Sequence, residues 1–307
     1  MSLLASIKRP GPSGFGYSST AEEVTQGLDL RGKTYLITGC NSGLGLEATR
    51  VLGLRGAHVV AAARSHEKAA KALADTHAAG TPIACDLSEP ASIRKCIDEV
   101  RNIDRPLDAI IGNAGIMALP QLQQKYGYET QFFTNHIGHF MLITGLLSSL
   151  SDQGRVVMLS SGAHKAAPPE GIQFDNLSGE RGYQSRKAYG QSKLANLLFA
   201  KHLATKLPQP MQTANALHPG VIATNLARHM SPAVTIVFKL IGWIGLKTIP
   251  QGAATEVYVA THPSLATVSG KYFSHCNLAT PSHRGQDAAL AEKLWVRSEE
   301  IVAGLQM

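Results

Sequence analysis

The chain has 307 residues, 44% of them apolar, which suits a globular protein with one sizeable core. Its net charge is +7, yet no basic block, zinc pattern or RNA-binding motif is present, so no nucleic acid is expected and the basic surface reads as a local need for anionic phosphate. Cys40, Cys85, Cys96 and Cys276 form no C-x-x-C pair, so no metal site or redox couple is signalled, and a reducing compartment, the cytoplasm, is expected. The apolar stretch from Met1 to Ala5 is too short for a secretory signal, and residues 1–30 read as a surface arm. Strands are then expected at Lys33–Thr38, Ala57–Ala62, Pro82–Cys85, Leu107–Gly112, Arg155–Ser160, Gln212–Leu217 and Gly270–Phe273. Helical patterns fall between them, at Gly43–Arg55, Glu67–Ala79, Ser92–Arg101, Gly127–Leu150, Ala188–Lys206 and Gln251–Ala260.

This alternation predicts an α/β fold: a single doubly wound Rossmann domain over residues 31–307, with a parallel sheet of about seven strands and helices on both faces. The first strand runs into Thr38-Gly39-Cys40-Asn41-Ser42-Gly43-Leu44-Gly45, and a helix follows. Glycines let the backbone turn tightly beside a pyrophosphate, and free N–H groups at the helix start face the anion. The strand–turn–helix setting gives this glycine-rich turn its meaning as a dinucleotide site.

The end of the second strand decides the dinucleotide. An acidic residue there would accept hydrogen bonds from a ribose 2′-hydroxyl. The chain instead has Ala62-Ala63-Arg64-Ser65, and Lys68 follows one helical turn later. Arg64 can pair with a 2′-phosphate through its planar fork, so NADP(H) is expected.

Further on, Tyr189-Gly190-Gln191-Ser192-Lys193 puts a phenol and an ammonium on one helix face. A free tyrosine, with pKa about 10, exchanges protons poorly at neutral pH. A nearby ammonium is expected to lower that value.

The spacing T-G-x-x-x-G-x-G and Y-x-x-x-K resemble the short-chain dehydrogenase/reductase family. Within it the chain is most similar to the retinol-dehydrogenase-like branch, with its chloroplast-import-associated and WW-domain-containing relatives. Ser160-Ser161-Gly162-Ala163-His164, His218-Pro219-Gly220, Pro250-Gln251-Gly252-Ala253 and Ser269-Gly270-Lys271-Tyr272-Phe273 carry that likeness. Ser161 and Tyr189 stand 28 positions apart, longer than the family's usual loop and as expected in that branch.

The resemblance implies a catalytic set of Asn135, Ser161, Tyr189 and Lys193, with Ser160 the alternative serine. It implies cofactor contacts at Gly39, Asn41, Ser42, Gly43, Leu44 and Gly45, at Asp86 and Leu87, and at Asn113-Ala114-Gly115. Pro219, Gly220, Ile222 and Thr224 would border the nicotinamide, and Tyr189 and Lys193 its ribose. Gly112 stands where the family has an asparagine. The implied activity is interconversion of a small apolar carbonyl and its alcohol. A non-catalytic redox sensor and a carbon–carbon double-bond reductase stay open as alternatives. His136 and His139 are expected to pack or face solvent, because no partner glutamate makes a metal motif.

The segment near 226–247 is rich in large apolar residues, with an interrupting Lys239. It reads as a lid over the substrate, ordinary packing, a subunit contact of a homo-oligomer, or a peripheral membrane contact. It is too short and interrupted to span a membrane.

Overall fold

A computed structural model describes residues 9–222 and 246–305. Thr224 and nearly all of the apolar segment near 226–247 lie outside the described residues.

Strand β1 (Thr34–Thr38) is buried along its whole length and pairs in parallel with β2 (His58–Ala63) on one side and β4 (Leu107–Gly112) on the other. β2 in turn pairs with β3 (Gly80–Ala84), and β4 with β7 (Leu150–Leu159). β8 (Thr213–His218) and β9 (Tyr272–Ser274) extend the parallel sheet. The order is β3-β2-β1-β4-β7-β8-β9-β10. The eighth strand, β10 (Asn277–Leu278), runs antiparallel to β9 and is two residues long, too short to carry an alternating pattern in sequence. Because the chain winds outward in both directions from β1 and β4, their carboxyl ends open a crevice where a doubly wound sheet binds its ligand.

One face of the sheet is covered by α2 (Gly43–Leu54), α3 (His66–Thr76) and α7 (Ile249–Thr261), through Ala48, Val51, Leu52, Ala253 and Val257. The other is covered by α4 (Pro90–Arg101), α5 (Thr130–Leu146) and α6 (Ser185–Leu203), through Ile93, Val100, Phe140, Ile143 and Phe199. Many of the contact positions are alanine or glycine, which lets helix and sheet approach closely. All four cysteines are buried free thiols. Among the described residues no helix is long and apolar enough to cross a membrane.

Three expectations change. The described part of the N-terminal arm is not a loose surface segment. A capping box between Thr20 and Glu23 starts the short helix α1 (Ala21–Val24), and Tyr17, Ala21, Val24 and Leu30 are buried. The helix expected from Gly127 to Leu150 begins at Thr130. Before it, Gln124–Lys125 (β5) and Tyr128–Glu129 (β6) form a hairpin whose turn holds Tyr126 and Gly127 at positive φ. The Glu129 carboxylate then caps the helix by accepting from the Gln131 and Phe132 amides. This helix, α5, is helical over Thr130–Phe132, widens into a π turn over Phe133–Ile137 and continues as Gly138–Leu146. Leu150 already belongs to β7, paired with Leu107.

Finally, helices α8 (His283–Gln286) and α9 (Ala288–Gly304) follow β10 and lie outside the expected helices. The signal for α9 was present: Asp287 caps it by accepting from the Leu290 amide, and Ala291, Leu294, Ser298 and Ile301 recur on its buried side.

Candidate active site

The expected site residues gather at the carboxyl ends of β1, β4, β7 and β8. β1 ends at Thr38, whose hydroxyl accepts hydrogen bonds from the amides of Asn113 and Ala114, each at 3.0 Å. The Asn113 side chain returns the link, donating to Thr38 O at 2.7 Å. These bonds fasten the glycine-rich turn to the end of β4. Gly45 is packed so closely under the turn that a Cβ would lie 2.3 Å from Gly39 O and 2.5 Å from Asn113 Nδ2. Only glycine fits there. Ser42 is the N-cap of α2 but makes no side-chain cap bond, so it leaves the first amides of the helix open. Asn41 and Ser42 are exposed, and Gly39, Gly43 and Leu44 are half-buried.

At the end of β2, Arg64 and Lys68 are both exposed, on either side of Ser65, the N-cap of α3. Past β3, Asp86 Oδ1 accepts from the amide and hydroxyl of Ser88, which shapes the loop that carries Asp86 and the buried Leu87. Pro219, Gly220 and Ile222 follow β8, and Ile222 pairs with Lys247. These groups fit a dinucleotide: an uncapped helix start for its phosphates, cationic side chains at the end of β2, and a carboxylate-bearing turn beyond β3.

The catalytic candidates meet a few residues away. Tyr189 and Lys193 lie on α6 and are buried, with the Lys193 ammonium 5.8 Å from the centre of the Tyr189 ring. Lys193 Nζ donates to Leu159 O at 3.1 Å. Ser161 follows the end of β7, and its hydroxyl stands close enough to Tyr189 to favour the phenolate. Ser161 also caps the turn Gly162–Ala166 by accepting from the Ala163 amide. The neighbouring Ser160 is buried and donates to Lys193 O at 2.7 Å, which anchors the helix and leaves Ser161 as the serine beside the tyrosine.

Asn135 sits in the π turn of α5. Its side chain grips Ile116 by accepting from the amide at 2.8 Å and donating to the carbonyl at 2.9 Å. It also donates to Ser192 Oγ at 2.9 Å, and Ser192 in turn donates to Tyr189 O. Gly115 lies where Asn135 and Lys193 converge: a Cβ there would be 3.2 Å from Asn135 Oδ1 and 3.3 Å from Lys193 Nζ.

Burial governs the electrostatics. It pushes the Tyr189 phenol up to about 12, opposed by the Ser161 hydroxyl, and brings the Lys193 ammonium down to about 8. The expectation that the nearby ammonium lowers the phenol is therefore corrected. Desolvation is the larger effect here, and Lys193 Nζ is directed to a carbonyl, not to the phenol oxygen.

Several residues outside the expected set hold it in place. Thr38 and Ser192 were within the motifs but not singled out. His218 accepts from the Gly162 amide at 3.0 Å, which fixes the backbone next to Ser161. His139 is buried and hydrogen-bonded to both Thr38 and Asn135, whereas His136 packs among Phe132, Phe140 and Phe199. No cluster of metal-ligating side chains occurs among the described residues.

The short chain dehydrogenase family signature matches residues 33–175. A short-chain dehydrogenase of Brassica napus, TIC 32 B, chloroplastic, is 45% identical over 97% of both chains. The chain belongs to the short-chain dehydrogenase/reductase family. Retinol dehydrogenase 14 of Homo sapiens is 36% identical, over 90% of this chain and 88% of that one, in keeping with the retinol-dehydrogenase-like branch. Among solved structures, a putative uncharacterized protein from Mycobacterium Paratuberculosis matches with a TM-score of 0.75 and 32% identity, over 91% of this chain and 97% of that one. The chain is thus an oxidoreductase of this family, built to bind a nicotinamide dinucleotide.

Proposed function

We propose that this enzyme uses NADP(H) to interconvert a carbonyl and an alcohol on an apolar substrate. The observation that carries the reading is the buried Tyr189–Lys193 pair on one face of α6, with the half-buried Ser161 beside the tyrosine at the end of β7. When bound, the nicotinamide supplies or accepts the hydride. The chain's own groups manage the substrate oxygen. Ser161 donates to that oxygen as charge develops on it. Tyr189 gives the oxygen its proton in reduction and removes it in oxidation. Lys193 compensates the phenolate as it forms, while Asn135 and Ser160 hold the helices that carry the pair.

Preference for NADP(H) is supported by the exposed Arg64 directly after β2, where Ala62 and Ala63 rather than an acidic residue end the strand, and by the exposed Lys68 in the first turn of α3. An apolar substrate is supported by the composition of the 226–247 segment and by the relative named as a retinol dehydrogenase. Initial rates with NADPH and NADH across a panel of aldehydes, ketones and enones test the reading. Carbonyl turnover preferring NADPH is expected. Turnover of enones alone would make it a double-bond reductase, and dinucleotide binding without turnover would make it a sensor.

A further inference from the structure

His139 lies on α5 one turn beyond Asn135 and is buried completely. Its two ring nitrogens face different parts of the site. Nδ1 is 2.8 Å from Asn135 O, and Nε2 is 2.9 Å from Thr38 Oγ1. A carbonyl oxygen can only accept, so Nδ1 carries the proton. The neutral ring then has an acceptor at Nε2. The Thr38 hydroxyl already accepts from the Asn113 and Ala114 amides and has one proton to give. Its alternative acceptor, Ile111 O, is at 3.5 Å, so the proton goes to His139.

The remaining bonds run in the same sense. Asn135 Nδ2 donates to Ser192 Oγ at 2.9 Å, and Ser192 Oγ donates to Tyr189 O at 2.8 Å. A single directed series therefore leads from the end of β1 to the catalytic helix: Thr38, His139, Asn135, Ser192, Tyr189. It crosses the π turn of α5, where the Gly138 amide reaches back five residues to Phe133 O and breaks the regular ladder. The sheet also makes room for the ring. A Cβ at Gly112 would lie 2.5 Å from Met158 Sδ and 3.2 Å from His139 Cδ2, so a side chain at 112 would displace Met158 and crowd the imidazole.

We propose that His139 is a positioning residue that ties the dinucleotide-binding turn to the catalytic helix by holding the Asn135 carbonyl and the Thr38 hydroxyl at once. The role rests on the oxidoreductase reading above, although the geometry of the link does not. Aspartate, glutamate, lysine or arginine could not replace the ring without bringing a charge into a buried, neutral series. Leucine would fill the space but leave both partners unsatisfied. Asparagine places an amide nitrogen close to where Nδ1 stands and keeps the bond to Asn135 O.

Two measurements test this. In the first, ¹⁵N NMR of the imidazole in the full chain at neutral pH should show His139 as a single neutral tautomer protonated at Nδ1. A ring protonated at Nε2, or exchanging between tautomers, would overturn the proposal whether or not the chain turns over any carbonyl. In the second, with a carbonyl substrate that the wild type reduces, His139→Leu should lower kcat by about tenfold or more with KM changed by less than about threefold. His139→Asn should recover most of the loss. Wild-type kcat in a folded His139→Leu enzyme, or His139→Asn as slow as His139→Leu, would contradict it. If His139→Leu does not fold, His139→Asn decides: kcat within a few fold of wild type is expected, and a tenfold loss in a folded enzyme overturns the role.

Discussion

Tyr189 and Lys193 stand one turn apart on α6 with the ammonium 5.8 Å from the ring centre, and burial drives their ionisations apart, the phenol up to about 12 and the ammonium down to about 8. At neutral pH the tyrosine is thus a phenol, in the state that donates a proton. Tyr189→Phe keeps the ring and removes that proton. Carbonyl reduction should fall by at least about a hundredfold while dinucleotide affinity is largely kept. In the opposite direction the phenolate is needed, so alcohol oxidation should climb with pH through the neutral and alkaline range. An oxidation rate that falls as pH rises would contradict Tyr189 as the base.

Arg64 decides the second expectation. It is exposed at the end of β2, free to meet an anion. Arg64→Asp should weaken NADPH by about tenfold or more and improve relative use of NADH, because a carboxylate would then face the 2′-phosphate and could accept from a 2′-hydroxyl. Kd values for both dinucleotides measure this. An unchanged ratio would mean that Arg64 points away from the ligand.

Gly45 gives a steric test. The atoms that a Cβ would meet are backbone oxygen Gly39 O at 2.3 Å and the Asn113 amide at 2.5 Å, and the first cannot swing aside. Gly45→Ala should destabilise the fold by about 1–3 kcal/mol and reduce dinucleotide affinity, read from thermal melts with and without NADPH. Equal melting and equal ligand-induced shifts in both proteins would show that the turn yields more easily than its packing indicates.

Much of this was legible from residues alone. The glycine-rich turn, Y-x-x-x-K and the alternating apolar runs specify β1, α2, α6 and the sheet, because each is a local pattern with one physical meaning. The resemblance favoured Ser161 over Ser160, and the physical reason shows only in three dimensions, where Ser160 bonds Lys193 O. The hairpin before α5 was hidden because two-residue strands carry no period, and apolar residues on both sides blurred where the helix begins. His139 looked like packing. Its bonds join residues 38 and 135, a separation that no local pattern reports.

Glu256 offers a stability test away from the site. It lies on α7, is fully buried, and neither carboxyl oxygen has a hydrogen-bond partner among the described residues. Burial pushes it from the usual 4.5 to about 8. A carboxyl raised on folding favours the folded state below its unfolded pKa, and that contribution is lost as pH climbs from about 4.5 through about 8. Over that window the loss approaches about 1.4 kcal/mol per pH unit for a group that stays protonated only when folded. Glu256→Gln cannot ionise. Its stability relative to the wild type should therefore increase steadily from about pH 5 to pH 8, measured by denaturant unfolding. A gap that stays constant with pH would show that Glu256 is solvated or paired.

Carbonyl–alcohol chemistry by Ser161, Tyr189 and Lys193 with NADP(H) is tested most directly by the oxidation of NADPH by the purified chain with an apolar aldehyde or ketone, run beside Tyr189→Phe, with the alcohol product quantified and NADPH binding measured for both proteins. The expected result is substrate-dependent NADPH loss matched one-for-one by alcohol in the wild type, and about a hundredfold less in the variant at similar NADPH affinity. Equal turnover in the two proteins, or NADPH binding by the wild type with no alcohol formed from any carbonyl in the panel, would contradict it.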